Sequence, residues 1–222
     1  MPTPAFPTES TMLLLDGPAG ALELAVDPPD AGVPAVAAIA VVCHPLSTDG
    51  GSLHNKVVTM VARAVRELGL ATVRFNFRSV GQSEGEFDDG VGELDDLAAV
   101  VAWVRAAHPD AALWLVGFSF GAYVSLKASA SLRPQVLVSI APPTGRGWAF
   151  EGVQPPPRWL VVQGESDEIV DPQTVFDWLA SIDAPHTLVR MPDTSHFFHR
   201  KLIDLRGAIQ HAVKGWLPAA SA

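Results

Sequence analysis

Disulfides, basic clusters and membrane-length apolar runs are all missing from this 222-residue chain. Its one cysteine, Cys43, cannot form an internal bridge and lies in the apolar run AIAVVCHP, so a buried, inert thiol is expected. That usage fits a reducing cytoplasm. No group of Lys and Arg stands together beyond the adjacent pair Arg200 and Lys201, and the formal charge is −9. Binding a row of phosphates needs clustered cations, so neither nucleic acid nor an anionic membrane is an expected partner. The opening MPTPAFPTESTMLLL has no basic n-region and no apolar stretch of signal-peptide length. Internal repeats and low-complexity linkers are also missing, so residues 1–222 read as a single domain.

What is present is an alternation. Short runs rich in Val, Leu and Ala are separated by longer stretches of helical period, the pattern of successive βα units around a mostly parallel sheet covered on both faces. Residues 12–17 and 21–27 flank a Pro-Ala-Gly turn and predict an antiparallel hairpin. Further strands are predicted at 39–44, 70–77, 112–118, 135–141, 158–164 and 186–191, making eight. Helices are predicted at 54–68, 93–107, 121–132, 172–182 and 199–216. The fold class is α/β.

The stretch LVGFSFGAY, residues 115–123, sets a serine between two glycines where an apolar strand meets a helical segment. A nucleophilic serine must stand clear of the sheet, which a sharp strand-to-helix turn achieves at the expense of crowding two residues before and two after it. Gly117 and Gly121 relieve that crowding, and Ala122 keeps the following turn slim. A βα turn in which glycines merely ease chain reversal is the plain alternative for this motif in isolation.

The serine needs a base, and seven histidines compete. In an open parallel sheet, function gathers beyond the carboxyl ends of the strands. His108 follows a helix, His186 begins a strand and His211 lies within the last helix. His54, at a helix start, could still face the site, and His44 ends a strand. His196 follows the last strand in MPDTSHFFHRKL and can reach Ser119, with His199 in the first turn of the last helix as runner-up. To hold the imidazole, VVQGESDEIVDPQTV offers Glu165, Asp167, Glu168 and Asp171. Asp171 precedes Pro172 and reads as a helix cap, which leaves Asp167 as the first choice. The resulting order, Ser119, Asp167, His196, is the order of α/β-hydrolases and not that of the chymotrypsin or subtilisin types.

Acyl transfer also requires N–H donors where the carbonyl oxygen becomes negative. Phe120, just after the serine, supplies one. The loop HPLSTDGGSLHNK after the third strand supplies another; Pro45 has no N–H, so Leu46 is first choice and Ser47 the alternate.

Taken together, CHPLSTDGGSLHNKVV, RFNFRSVGQSEGEFDDGVGELDD, GFSFGAYVSLKAS, QGESDEIV and SHFFHRKL resemble the small bacterial α/β-hydrolases without a cap domain, near the dienelactone-hydrolase-like and serine-aminopeptidase-like branches. The resemblance covers nearly the whole chain. It implies Ser119 as nucleophile, His196 as base and Asp167 as its orienter. One departure is Ser79, where a loop glycine is expected. The acidic run from Glu84 to Asp96 straddles a helix start and reads as a solvated one rather than a metal site, and the histidines show no compact ligand spacing.

The segment APPTGRGWAFEGVQPPP is too short for a helical cap, so the site should be open. Trp148, Phe118, Phe197 and Phe198 are candidate substrate-binding residues, with Phe150 nearby. The expected activity is hydrolysis of carboxylic esters or thioesters, without a cofactor or metal, on a small-molecule substrate. An amidase or peptidase is the rival enzyme, and a binding module with a vestigial hydrolase site is the rival of another class.

Overall fold

The computed structural model describes residues 3–218. Two antiparallel strands, β1 (Thr11–Gly17) and β2 (Gly20–Asp27), open the chain, and β2 lies antiparallel to β4. From β3 onward the sheet is parallel: β3 (Ala38–Cys43), β4 (Ala71–Phe75), β5 (Ala112–Phe118), β6 (Val136–Ile140), β7 (Trp159–Gly164) and β8 (Thr187–Met191). The spatial order is β1-β2-β4-β3-β5-β6-β7-β8, which puts β5 at the middle of the parallel part. Four helices join successive strands, α1 (Lys56–Arg66), α2 (Gly92–Ala107), α3 (Phe120–Leu132) and α4 (Pro172–Ser181), and α5 (Leu202–Val213) follows β8.

The central strands β3, β5, β6 and β7 are apolar except for Ser139 and Gln163 because they are covered on both sides, and the period of two divides each between two cores. Val41, Cys43, Leu113, Leu115, Leu137, Trp159 and Val161 pack with α2, α3 and α4. Their neighbours Ala40, Val42, Trp114, Val116, Val138, Leu160 and Val162 pack with α1 and α5. The predicted face of α1 is the buried one, with Val57, Val58, Val61, Ala62 and Val65 all inside. Burying a side chain of this size contributes about 1.5–3 kcal/mol. The burial of Cys43 also pushes its thiol far above the ordinary range, so it is inert as a nucleophile.

All eight strands and five helices lie where the periodicity put them, with shifted ends. β4 ends at Phe75; the Asn76 N–H still donates to the Glu23 carbonyl of β2 at 2.8 Å, but the Phe77 N–H turns away to His44 Nε2 at 3.0 Å. The last helix starts at Leu202, later than the predicted 199. Phe198 and Arg200 adopt φ of 53° and 59°, outside the helical region, so His199 sits in a turn ahead of α5 and not in its first turn.

The acidic segment keeps its expected meaning at Glu84, Glu86, Asp88, Asp89 and Asp95, which are exposed, and departs from it at two residues. Glu93 and Asp96 are fully buried rather than solvated. Asp96 receives the Arg78 guanidinium and the Arg78 N–H, while Glu93 accepts from the N–H groups of Asp88 and Gly90. These carboxylates staple the β4–α2 loop. Ser79, in that loop, has φ of 69° and keeps the left-handed backbone that a glycine would adopt freely. No helix of the described residues is long and apolar enough to cross a membrane.

Candidate active site

Ser119 sits between the last residue of β5 and the first of α3, with φ 52° and ψ −118°. Such a backbone costs of order 1–3 kcal/mol in a non-glycine residue, and here it lifts the side chain out of the sheet. Its own N–H is tied to the Ile140 carbonyl at 2.8 Å. The flanking glycines are required by space. A Cβ on Gly117 would lie 2.2 Å from the Gly121 oxygen, and one on Gly121 would lie 2.4 Å from the Cys43 oxygen.

The loops after β7 and β8 bring the other two predicted residues to this serine. His196 Nε2 lies 3.1 Å from Ser119 Oγ, and its Nδ1 lies 2.8 Å from Asp167 Oδ2. The imidazole is almost wholly buried, edged by Phe118 and Phe197. A carboxylate facing Nδ1 fixes the proton there, so Nε2 presents its lone pair to the hydroxyl. Burial would push the Asp167 carboxyl up, but the His196 hydrogen bond and charge, with the Ile169 and Val170 N–H groups, bring it below the ordinary carboxylate range. Asp167 therefore has a local duty as well: its Oδ1 accepts from Ile169 at 2.9 Å and Val170 at 2.8 Å, which folds its own loop.

Two further groups position the pair: Gln163, which sequence reasoning missed, and Glu168, which it offered only as an alternative carboxylate to hold the ring. The Gln163 side-chain amide donates to Asp167 Oδ2 at 3.1 Å from inside β7, and Glu168 Oε2 accepts from the His196 N–H at 3.1 Å. A glutamine in the otherwise apolar strand WLVVQG was a usable signal, since a buried amide needs polar partners. Asp171 caps α4, accepting from the Gln173 N–H, as its position before Pro172 predicted.

Leu46, Ser119, Trp148, His196 and Phe197 border one narrow cleft of about 70 Å³. Neither the Leu46 nor the Phe120 N–H has a hydrogen-bond partner among the described residues. The candidate lining divides. Trp148 and Phe197 face the cleft, Trp148 held by its Nε1–H donating to Asp89 at 3.1 Å. Phe118 and Phe198 do not: they are 1% and 0% exposed, packed under the site with α1 and α5, because the left-handed φ of Phe198 turns it inward. Phe150 is likewise core. The β6–β7 connection carries no helix, so nothing caps the opening.

His44 is the other buried histidine at this edge, but its nitrogens are both engaged by backbone. Nδ1–H donates to the Pro45 carbonyl at 2.6 Å and Nε2 accepts from Phe77. Burial lowers its pKa to about 4, against the opposing pull of that carbonyl.

A family model described as the alpha/beta hydrolase fold matches residues 41–144. Among solved structures, a member of the α/β serine hydrolases without lid from Xanthomonas campestris is 67% identical. The match covers 99% of this chain and 100% of that one, with a TM-score of 0.97. An α/β serine hydrolase homologue from Coxiella burnetii is 41% identical over 93% of this chain and 99% of that one, with a TM-score of 0.86. An uncharacterized protein of Rickettsia prowazekii is 33% identical over 184 residues, which is 78% of this chain and 77% of that protein.

Proposed function

Because this chain belongs to the α/β serine hydrolases without a lid, we propose that it cleaves carboxylic esters or thioesters of small acyl groups through Ser119, His196 and Asp167. The observation that carries this reading is the relay of 3.1 Å from Ser119 Oγ to His196 Nε2 and 2.8 Å from His196 Nδ1 to Asp167.

In this reading His196 Nε2 takes the hydroxyl proton as Ser119 Oγ bonds to the carbonyl carbon. Asp167 stays ionised and stabilises the imidazolium. The carbonyl oxygen, now negative, is met by the N–H groups of Phe120 and Leu46, each worth about 2.7–4 kcal/mol to the transition state. His196 then returns the proton to the departing alkoxide or thiolate, leaving an acyl-serine. Water, deprotonated by the same nitrogen, attacks the acyl-serine and regenerates the serine with release of the acid. The narrow cleft supports a small acyl group, and the absence of a helical cap supports open access to substrate.

A fluorophosphonate should label Ser119 in the intact protein and abolish turnover of a short acyl ester at neutral pH, with Ser119→Ala unlabelled. Absence of both labelling and turnover would overturn the reading.

A further inference from the structure

Beside the narrow cleft lies a hollow of about 530 Å³, and the two share Gly50, Asn55 and Phe197 as a common border. The hollow is bordered by His54 and Lys56 from the start of α1, and by His199 and Arg200 from the turn before α5. No carboxylate borders it among the described residues; Asp49 faces the cleft instead.

Lys56 and Arg200 thus stand together without a carboxylate between them, in a chain of net charge −9. Among the described residues, seven of the other thirteen Lys and Arg pair with a carboxylate: Arg63 and Arg206 with Glu67, Arg66 with Asp30, Arg74 with Asp27, Arg78 with Asp96, Arg190 with Glu165 and Lys201 with Asp204. Lys56 and Arg200 have neither an ion pair nor a side-chain hydrogen bond among the described residues. Lys56 also sits in the first turn of α1, where no acidic residue offsets it and where a cation meets the positive end of the peptide dipoles. His54 is among the groups that lower the Glu23 carboxyl, and that carboxylate is already bound by Asn76 and Gln82. Such a field is compensated when an anion enters.

The chemistry says which half of the substrate lies here. His196 must hand its proton to the departing atom, so the leaving group passes on the imidazole side of Ser119. The hollow begins at Phe197, the next residue. We propose that the hollow binds an anionic group, phosphate or carboxylate, carried on the alcohol or thiol half of the substrate. This rests on the hydrolase reading above. It assigns Lys56 and Arg200 as the principal anion contacts, supported by His54 and His199, with the small acyl group confined to the cleft.

The test is a matched series of acetyl esters and thioesters whose leaving groups end in a phosphate, a carboxylate or a neutral amide, with a second series bearing the charge on the acyl half. An anionic leaving group should raise kcat/KM roughly tenfold over its neutral match, in keeping with two exposed ion pairs. The preference should shrink on raising salt from about 0.05 M to about 0.5 M. In the Lys56→Ala/Arg200→Ala double variant the anionic-to-neutral ratio should fall toward one. The phosphate and carboxylate arms tell the two anions apart. Equal turnover of charged and neutral leaving groups, or a preference retained in the double variant, overturns the proposal while leaving the hydrolase reading intact.

Calorimetric binding of the phosphate-bearing thioester to Ser119→Ala gives a readout that needs no turnover. It should weaken roughly tenfold when Lys56 and Arg200 are also replaced, and unchanged binding counts against the proposal. Absence of turnover with every ester, neutral ones included, would instead indict the hydrolase reading.

Discussion

Two histidines lie buried at the carboxyl edge of the same sheet, His44 after β3 and His196 after β8, with exposures of 0% and 2%. His44 is saturated by backbone: a carbonyl takes its proton and an amide N–H fills its lone pair. His196 meets side chains instead, a carboxylate on one nitrogen and a hydroxyl on the other. Burial is thus common to a structural imidazole and a candidate base. The partners decide which is which, because only a ring with a stabilised cationic form and a free-standing acid beside it can accept a proton usefully.

The sharpest way to break this contrast is to exchange the two residues' fates. His196→Gln should lower kcat by about a million-fold, with little movement of the denaturation midpoint, since the amide can still meet Asp167. His44→Gln should do the reverse, keeping measurable turnover while lowering the midpoint. Matching losses of activity in both variants would dissolve the distinction.

Asp167→Asn removes the carboxylate but keeps a side chain of the same shape. A loss in kcat of about ten-thousand-fold is expected, since an amide favours the wrong tautomer of the ring. Steady-state kinetics should show this chiefly in kcat; a variant active within tenfold of the parent would refute the orienting role.

Acid should act on His44 first. The unfolded imidazole titrates near its ordinary 6.5 and the folded one near about 4. Between these values the unfolded chain binds a proton that the native chain refuses. Stability is therefore full above the unfolded value and is lost as pH falls toward about 4, by roughly 3 kcal/mol. Asp167 acts later. Its folded value is depressed, so its contribution is present above the ordinary carboxylate value and is lost only as pH falls through the folded one. Urea denaturation across this range should show the first loss in the parent and not in His44→Gln.

The smallest effect belongs to Ser79→Gly. Releasing the left-handed φ of 69° is offset by a freer unfolded chain, so a gain below about 1 kcal/mol is expected. Destabilisation would mean that the Ser79 side chain has a use in its loop.

Much of this molecule was legible before any coordinates. The strands were plain because a doubly covered sheet demands unbroken apolar runs. Gly117 and Gly121 marked the elbow because no Cβ fits there. Asp171 before Pro172 declared itself a cap. Less legible was what depends on where a chain segment turns. Phe118 and Phe198 looked like cleft aromatics and are core: Phe118 falls on the face of β5 covered by α1 and α5, and the left-handed backbone of Phe198 turns its ring inward. Glu93 and Asp96 looked solvated and are buried, because their partners, loop amides and Arg78, are recognisable as partners only once the β4–α2 loop is closed.

Composition, periodicity and turn chemistry are local properties, and on their own they determined the α/β architecture, the number of strands and the chain order of Ser119, Asp167 and His196. Their meeting was decided by the tertiary structure alone. Ser119 and His196 are 77 residues apart and Asp167 and His196 are 29 apart. The spacing of two side chains across a sheet is set by strand order and register, which no short window contains. The same holds for the cationic hollow, whose two walls come from residues 50–57 and 197–202 and become one surface only when α1 and α5 pack side by side on one face of the sheet.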